Sequence, residues 1–122
     1  MSEQYFINLS NHPVSSWGAE QRAAAEAYGV IIEVPFPNIP PEWTTEMVNT
    51  LAEEYCSKLA TYPNATVMCQ GEFCFSYTIA SKLKMLGYRV VAACSNRVVE
   101  EETNGEENIK KVIFRFVQFR EY

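Results

Sequence analysis

The chain has 122 residues, a formal net charge of −5 at pH 7 and 48% hydrophobic residues. This length fits one domain with a buried core, so we expect residues 1–122 to form a single unit. The acidic balance argues against binding duplex nucleic acid, which requires many Lys and Arg side chains to neutralise phosphates. No apolar run approaches the ~20 residues of a membrane span. The N-terminus also lacks a signal segment, so we expect a cytoplasmic protein with no membrane partner.

Several residue types are absent, and their absence excludes whole classes of site. All 15 acidic residues are Glu, so a receiver domain that is phosphorylated on Asp is excluded. A single His and four Cys without a CxxC pair predict no metal site. Neither GxGxxG nor GxxxxGK[ST] occurs, and no nucleophile elbow is present. We therefore expect no cofactor and no serine-type catalytic triad. The cysteines lie in apolar segments and are expected to be reduced and packed.

Short apolar runs predict the first four strands. These runs cover residues 5–9, 30–34, 67–69 and 90–94. The last two lack a polar–apolar alternation, which is typical of parallel strands covered on both faces.

Segments with apolar residues at helical spacing separate these runs and predict three helices. Ser15 or Ser16 can cap the first helix, and Thr44 or Thr45 the second. The third helix is expected to end at Gly87, where a left-handed residue is favoured.

The C-terminal segment predicts a fifth strand. Residues 111–122 are dense in β-branched and aromatic side chains, and Asn104-Gly105 offers a turn before them. We expect this strand to return antiparallel beside the fourth. An edge strand of this length is an aggregation hazard unless it is covered, so it could also form a dimer seam.

The predicted order of elements is β-α-β-α-β-α-β-β. It indicates an α/β fold, a compact Rossmann-like three-layer sandwich with a mostly parallel sheet and an antiparallel C-terminal strand. If the strand order is 2-1-3-4-5, the turns after the first and third strands face each other across the switch point where such folds bind ligands.

Polar residues at the ends of three strands are the candidate site residues. We expect them all at the carboxyl edge of the sheet, and they are Ser10, Asn11, His12, Gln70, Gly71, Glu72, Ser95, Asn96 and Arg97. Histidine titrates near neutral pH, so His12 could act as a general acid or base. Arg97 could hold a phosphate with two parallel hydrogen bonds.

Structural roles remain open for the same residues. His12 could simply hold its turn, Glu72 could stabilise the helix dipole, and Arg97 could pair with the acidic run at residues 100–102. Gly71 could let the backbone approach a ligand, and Gln70 could bind a base edge or a ribose.

Three aromatic residues near these turns could stack on a base or belong to the core. They are Trp17, Phe36 and Trp43.

Four segments together resemble the small accessory proteins found with type III CRISPR systems. They read FINLSNHPVSSW, VPFPNIPPEW, QGEFCFSYTIASKLKMLGYRVVAACSNRVVEE and VIFRFVQFREY. Those proteins are similar to CARF (CRISPR-associated Rossmann fold) sensor domains, and several groups of them are ring nucleases that cut cyclic oligoadenylate messengers and end the antiviral response.

The resemblance implies a homodimer that binds a cyclic oligoadenylate across its two-fold axis. It implies cleavage without a metal, in which a ribose 2′-hydroxyl attacks the neighbouring phosphate. His12 and Arg97 would be catalytic, and the other predicted site residues would hold the ring. Two alternatives remain: a sensor or sponge that binds the nucleotide without cutting it, and a protein-interaction module without a small ligand.

Overall fold

A computed structural model of the protein describes residues 3–122, except for the side chain of Asn104. Five strands and three α-helices lie in the described residues, together with one turn of 3₁₀ helix at Val14–Ser16. Their bounds in chain order are β1 (Tyr5–Ser10), α1 (Ala19–Glu26), β2 (Val30–Glu33), α2 (Thr45–Leu59), β3 (Ala65–Gln70), α3 (Phe73–Met85), β4 (Arg89–Asn104) and β5 (Glu107–Glu121).

The strands form one sheet in the order β2-β1-β3-β4-β5. The first four are mutually parallel, and β5 runs antiparallel to β4. The predicted α/β class, the mostly parallel sheet and the antiparallel C-terminal strand are therefore confirmed. The order also places the switch point between β1 and β3.

Both faces of the sheet are covered, which explains the continuous apolar runs. Helices α2 and α3 pack on one face, where Ile7, Val67 and Val90 are buried with Phe75. On the other face Phe6 packs edge-on against the Trp17 ring, with a distance of 6.1 Å between ring centroids. Alternate residues of each buried strand thus contribute to two separate cores.

Some of the helix ends lie where the sequence predicted them. The Thr44 hydroxyl accepts a hydrogen bond of 3.2 Å from the Met47 N–H, so Thr44 caps α2 as predicted. Gly87 has a φ of +93°, as expected just after α3. The prediction of a serine cap for α1 was wrong, because α1 begins only after Gly18.

Pro13 explains the late start of α1. Its carbonyl accepts a bond of 2.8 Å from the Ser16 N–H and one of 2.7 Å from the Ser16 hydroxyl. These bonds close a 3₁₀ turn. The serines are therefore used in this turn, ahead of the helix.

The main departure from the sequence prediction is the length of β4. Ser95, Asn96 and Arg97 were expected to form a turn at the carboxyl edge, but they lie inside a strand that continues to Asn104. Each of them pairs with a residue of β5, which begins at Glu107. A polar segment can remain extended when a partner strand satisfies its backbone donors and acceptors. The predicted turn at Asn104-Gly105 is present, with a φ of +66° at Gly105.

The outer part of this hairpin extends beyond the rest of the sheet. We call it the arm, and define it as residues 95–104 of β4 and 107–116 of β5. It starts at a β-bulge between Cys94 and Ser95. At ~3.3 Å per residue, the arm is about 30 Å long.

The four cysteines are free, and their exposure differs. Cys69 is buried, whereas Cys74 is exposed on the first turn of α3. The expectation that all of them are packed was therefore wrong for Cys74. In the described part of the chain, no helix is both long and apolar enough to cross a membrane.

Candidate functional site

A cavity of about 350 Å³ opens at the carboxyl edge of the sheet, beside the switch point. We call it the edge pocket, and its lining residues are Asn11, His12, Gln70, Gly71, Phe73, Ser76, Ala92 and Tyr122. Its volume lies at the lower end of the range for small-ligand sites. A second cavity of about 400 Å³ is lined by Gln4, Asn64 and Arg89 among others, and none of the predicted site residues line it.

The turns after β1 and β3 meet at the edge pocket, as the strand order predicted. The Asn11 N–H donates a hydrogen bond of 3.2 Å to the Gln70 carbonyl, which closes the gap between the two strands. Asn11 and His12 thus lie on the same pocket as Gln70 and Gly71. Four of the nine predicted site residues are brought together here.

The backbone around His12 is held by buried polar side chains. The His12 carbonyl accepts hydrogen bonds from the Asn8 amide at 3.0 Å and from the Trp17 indole at 3.1 Å. The Ser10 hydroxyl accepts the His12 N–H at 3.1 Å and donates to the Asn8 side chain at 2.6 Å. His12 itself is exposed and lines the edge pocket, so its side chain extends from a fixed backbone.

Ser10 therefore has a structural role in this arrangement. It is 6% exposed and lies beneath the turn, away from the lining of the edge pocket. Asn8, which is 1% exposed, was missed by the sequence analysis. A single amide within the apolar run YFINL was the available signal, because a buried amide needs hydrogen-bond partners.

Gln70 lines the edge pocket, but its amide is bound to the backbone of β4. Its oxygen accepts the Ala93 N–H at 2.7 Å, and its nitrogen donates to the Ala93 carbonyl at 3.4 Å. These bonds connect β3 to β4 beyond the last paired residues of the two strands, Met68 and Val91. A ligand could bind this amide only by breaking that connection.

Gly71 is explained by close packing. A Cβ atom at this position would overlap the ring of Phe36, which comes from the proline-rich loop. The Phe36 ring also packs edge-on against Phe75, with 5.3 Å between centroids. Trp17, Phe36 and Trp43 all pack against the cores, which favours the structural alternative for these aromatic residues.

Glu72 caps α3, which was the structural alternative for this residue. Its carboxylate accepts hydrogen bonds from the Phe75 N–H at 2.8 Å and the Cys74 N–H at 2.9 Å. The bond from Phe75, supported by that from Cys74, lowers the pKa of the Glu72 carboxyl. A negative side chain thus occupies the helix N-terminus, the position at which an anionic ligand would otherwise bind.

Besides Ala92, three residues of the edge pocket were missed by the sequence analysis. Phe73 is 89% exposed at the start of α3. The Ser76 hydroxyl, in a residue 8% exposed, is the one buried side-chain polar atom without a hydrogen-bond partner in the described part of the chain. Tyr122 donates its hydroxyl proton to the Cys69 carbonyl, and burial raises the pKa of this hydroxyl. The sequence signal for Phe73 was an aromatic residue directly after Gln70-Gly71-Glu72.

Ser95, Asn96 and Arg97 lie on the arm and do not line the edge pocket. Arg97 is four residues beyond Ala93 along β4, which corresponds to about 13 Å of extended chain. Among the described residues, no group of three or more His, Cys or Glu side chains is placed to hold a metal ion.

Comparison with known proteins gives a family but no characterised relative. No curated protein and no solved structure matches the chain. Residues 4–120 match the sequence profile of the uncharacterized protein MJ1673 family. Since the match covers almost the whole chain, this protein belongs to the uncharacterized protein MJ1673 family.

Proposed function

We propose that this protein binds a cyclic oligoadenylate at the edge pocket and cleaves it without a metal. It would act in the cytoplasm as a ring nuclease of a type III CRISPR defence system, and as a homodimer. The observation that carries the proposal is the placement of His12. His12 is an exposed residue that lines a pocket at the switch point, and hydrogen bonds fix its backbone on both sides. Positioning of this kind is the main requirement for proton transfer by a single side chain.

The proposed reaction needs one proton acceptor and no metal. The 2′-hydroxyl of one ribose attacks the adjacent phosphorus, so that a P–O2′ bond forms while the P–O5′ bond breaks. His12 removes the 2′ proton and releases it to the solvent, and the departing 5′ oxygen takes up a proton from the solvent. The products are a 2′,3′-cyclic phosphate and a 5′-hydroxyl, so the ring opens without consuming water.

The bases of the ligand have suitable partners at the pocket. Phe73 exposes 89% of its surface at the rim, and an aromatic ring placed there can stack on a purine. Stacking of this kind contributes about 1–3 kcal/mol per base. Ser76 also lines the pocket, but its hydroxyl is buried, so a ligand would bind this group only after a shift of the pocket wall.

The edge pocket offers few positive charges to the phosphates of the ligand. The lining residues include no Lys or Arg, and Glu72 occupies the N-terminus of α3. Since Arg97 lies on the arm, we assign proton transfer to His12 alone. We also expect binding to depend only weakly on salt, because few ion pairs would form.

A second candidate function is a sensor that binds the same nucleotide without cutting it. The observation in its favour is that His12 stands alone as a proton-transfer group. Tyr122, the other lining residue with a proton to transfer, donates its hydroxyl to the Cys69 carbonyl. A sensor would show nucleotide binding with no change in the ligand.

The test is to incubate the purified protein with cyclic tri-, tetra- and hexa-adenylate, with and without a chelator, and to separate the products by chromatography. Cleavage that persists in chelator supports the ring nuclease. Binding without cleavage, seen as a raised melting temperature, supports the sensor. If neither is observed, the nucleotide proposal is refuted and a protein-interaction module remains.

Two variants test whether His12 carries out the proton transfer. His12→Gln keeps a hydrogen-bonding side chain but cannot transfer a proton at neutral pH, so we expect cleavage to fall at least about 100-fold while binding persists. Asn49→Ala, on an exposed position of α2, is the matched control and should leave both unchanged. Cleavage by His12→Gln at the wild-type rate would show that the proposed role of His12 is wrong.

A further inference from the structure

The arm exposes an apolar face that no other part of the described chain covers. Residues directly opposite each other in β4 and β5 lie on the same side of the arm, and alternate residues along each strand share a side. One side therefore carries the pair Val99 and Val112, which are 47% and 44% exposed. Its neighbouring pairs are Arg97 with Phe114, which is 69% exposed, and Glu101 with Lys110.

This side continues the sheet face that α1 covers. At the root of the arm, Phe119 packs on Phe6 with 4.8 Å between ring centroids, and Phe116 packs on Phe119 at 4.9 Å. The row of aromatic rings therefore runs from the core out along the arm. The arm is a long two-stranded ribbon, and one of its strands, β5, forms the edge of the sheet. Exposed apolar surface on such a ribbon is typical of an interaction site.

The order of charges along this face is complementary to the same face of a second copy of the chain. On β4 the sequence of side chains is Arg97, Val99, Glu101, and on β5 it is Phe114, Val112, Lys110. The valine pair lies in the middle, with opposite charges on either side of it along β4. A second copy rotated by two-fold symmetry about the valine row would thus place Arg97 against Glu101 of the partner subunit, and Phe114 against Lys110 of the partner subunit.

We propose that two copies of this chain associate through these faces, with their arms stacked and pointing in opposite directions. The valine side chains of both copies meet at the two-fold axis. Two ion pairs and two cation–π contacts flank them. The arm of each copy then reaches towards the body of its partner.

The direction of the arms follows from the shape of the body. Helix α1 packs against β5 at the root of the same face. Two copies with arms pointing the same way would bring their α1 helices into the same space above that root. Arms that point in opposite directions keep the two α1 helices at opposite ends of the stacked arms.

This inference goes beyond the proposed function, because its two-fold axis lies at Val99, seven residues along β4 from Ala92 of the edge pocket, and its test requires no nucleotide. The stacked faces are about 30 Å long and two strands wide, which corresponds to a small interface. We therefore expect a weak, concentration-dependent dimer, because an interface of this size lies at the low end for transient complexes.

Sedimentation velocity of the full chain, from about 1 µM to about 1 mM, measures this equilibrium directly. We expect Arg97→Glu alone and Glu101→Arg alone to weaken the dimer about tenfold or more, since each puts like charges in contact at two symmetric positions. The triple variant Arg97→Glu/Glu101→Arg/Lys110→Glu should restore most of it, because the charges in contact between the copies are again opposite and positions 101 and 110, an ion pair of 3.9 Å within one chain, keep opposite charges. Glu102→Arg is the matched control, with the same change in charge on the other side of the arm.

Three outcomes overturn the proposal. A monomer over the whole concentration range excludes the association itself. A triple variant that stays as weak as the single ones excludes arms in opposite directions. An equal loss in Glu102→Arg shows that net charge, and not this face, controls association. Failure here leaves the nucleotide assays unaffected, and failure of those assays leaves this result unaffected.

Discussion

Replacing Glu72 tests whether this carboxylate serves the helix or a ligand. In the structure it accepts two backbone N–H bonds, from Phe75 at 2.8 Å and from Cys74 at 2.9 Å. Glu72→Ala leaves both donors to water, and loss of a side-chain cap costs about 0.5–2 kcal/mol. We expect a loss near the upper part of that range, about 1.5 kcal/mol, because two bonds to a charged acceptor are removed at once. The melting temperature should fall by about 6 °C.

The pH dependence of this loss follows from the lowered pKa of Glu72. The ordinary value is 4.5, and the folded value lies below it. The group therefore stabilises the fold fully above its unfolded pKa, and that stability disappears as the pH falls through the folded pKa. The difference in unfolding free energy between the wild type and Glu72→Ala should be constant from pH 6 to 8 and should narrow below about pH 4.5.

Urea denaturation at a series of pH values measures the difference. Glu72→Gln should cost less than Glu72→Ala, because its amide oxygen can still accept one N–H. Glu46→Gln is the control, since Glu46 lies in the first turn of α2 and the side-chain cap there is Thr44. Our reasoning is refuted if Glu46→Gln costs as much as Glu72→Ala, or if the Glu72→Ala loss is the same at pH 4 as at pH 7.

Three further predictions concern stability and thiol chemistry. Gly71→Ala should destabilise the fold by about 1–3 kcal/mol in urea titrations, because the new Cβ overlaps Phe36; an unchanged midpoint would contradict the packing role. Asn8→Leu should cost about 2 kcal/mol, since the buried amide that holds the turn is lost, and a neutral result would contradict the network. Burial raises the pKa of the Cys69 thiol to about 12, so iodoacetamide followed by mass spectrometry should label Cys74 first; faster labelling of Cys69 in the folded protein would contradict its burial.

The sequence by itself determined the local elements and their class. Apolar runs and helical spacing located the first four strands and the three helices. Burial on one face or on both faces of an element gives its apolar residues a characteristic spacing along the chain. Local chemistry likewise indicated Thr44 or Thr45 as a cap and Gly87 as a helix end, because each depends on contacts within a few residues. The polar ends of β1 and β3 were also identified from order alone.

Only the tertiary structure decided the extent of β4 and the roles of the polar residues. Ser95, Asn96 and Arg97 are polar and look like a turn, yet pairing with β5 keeps them extended. The turn at Asn104-Gly105 was predictable, but the length of the pairing depends on contacts between residues up to 21 positions apart, such as Ser95 with Phe116.

The same reason applies to the edge pocket. The amide of Gln70 is bound to Ala93, which is 23 residues away. The need for glycine at position 71 comes from a ring on another loop. A sequence shows which polar groups are available at an edge, whereas long-range contacts determine which of them remain free to bind.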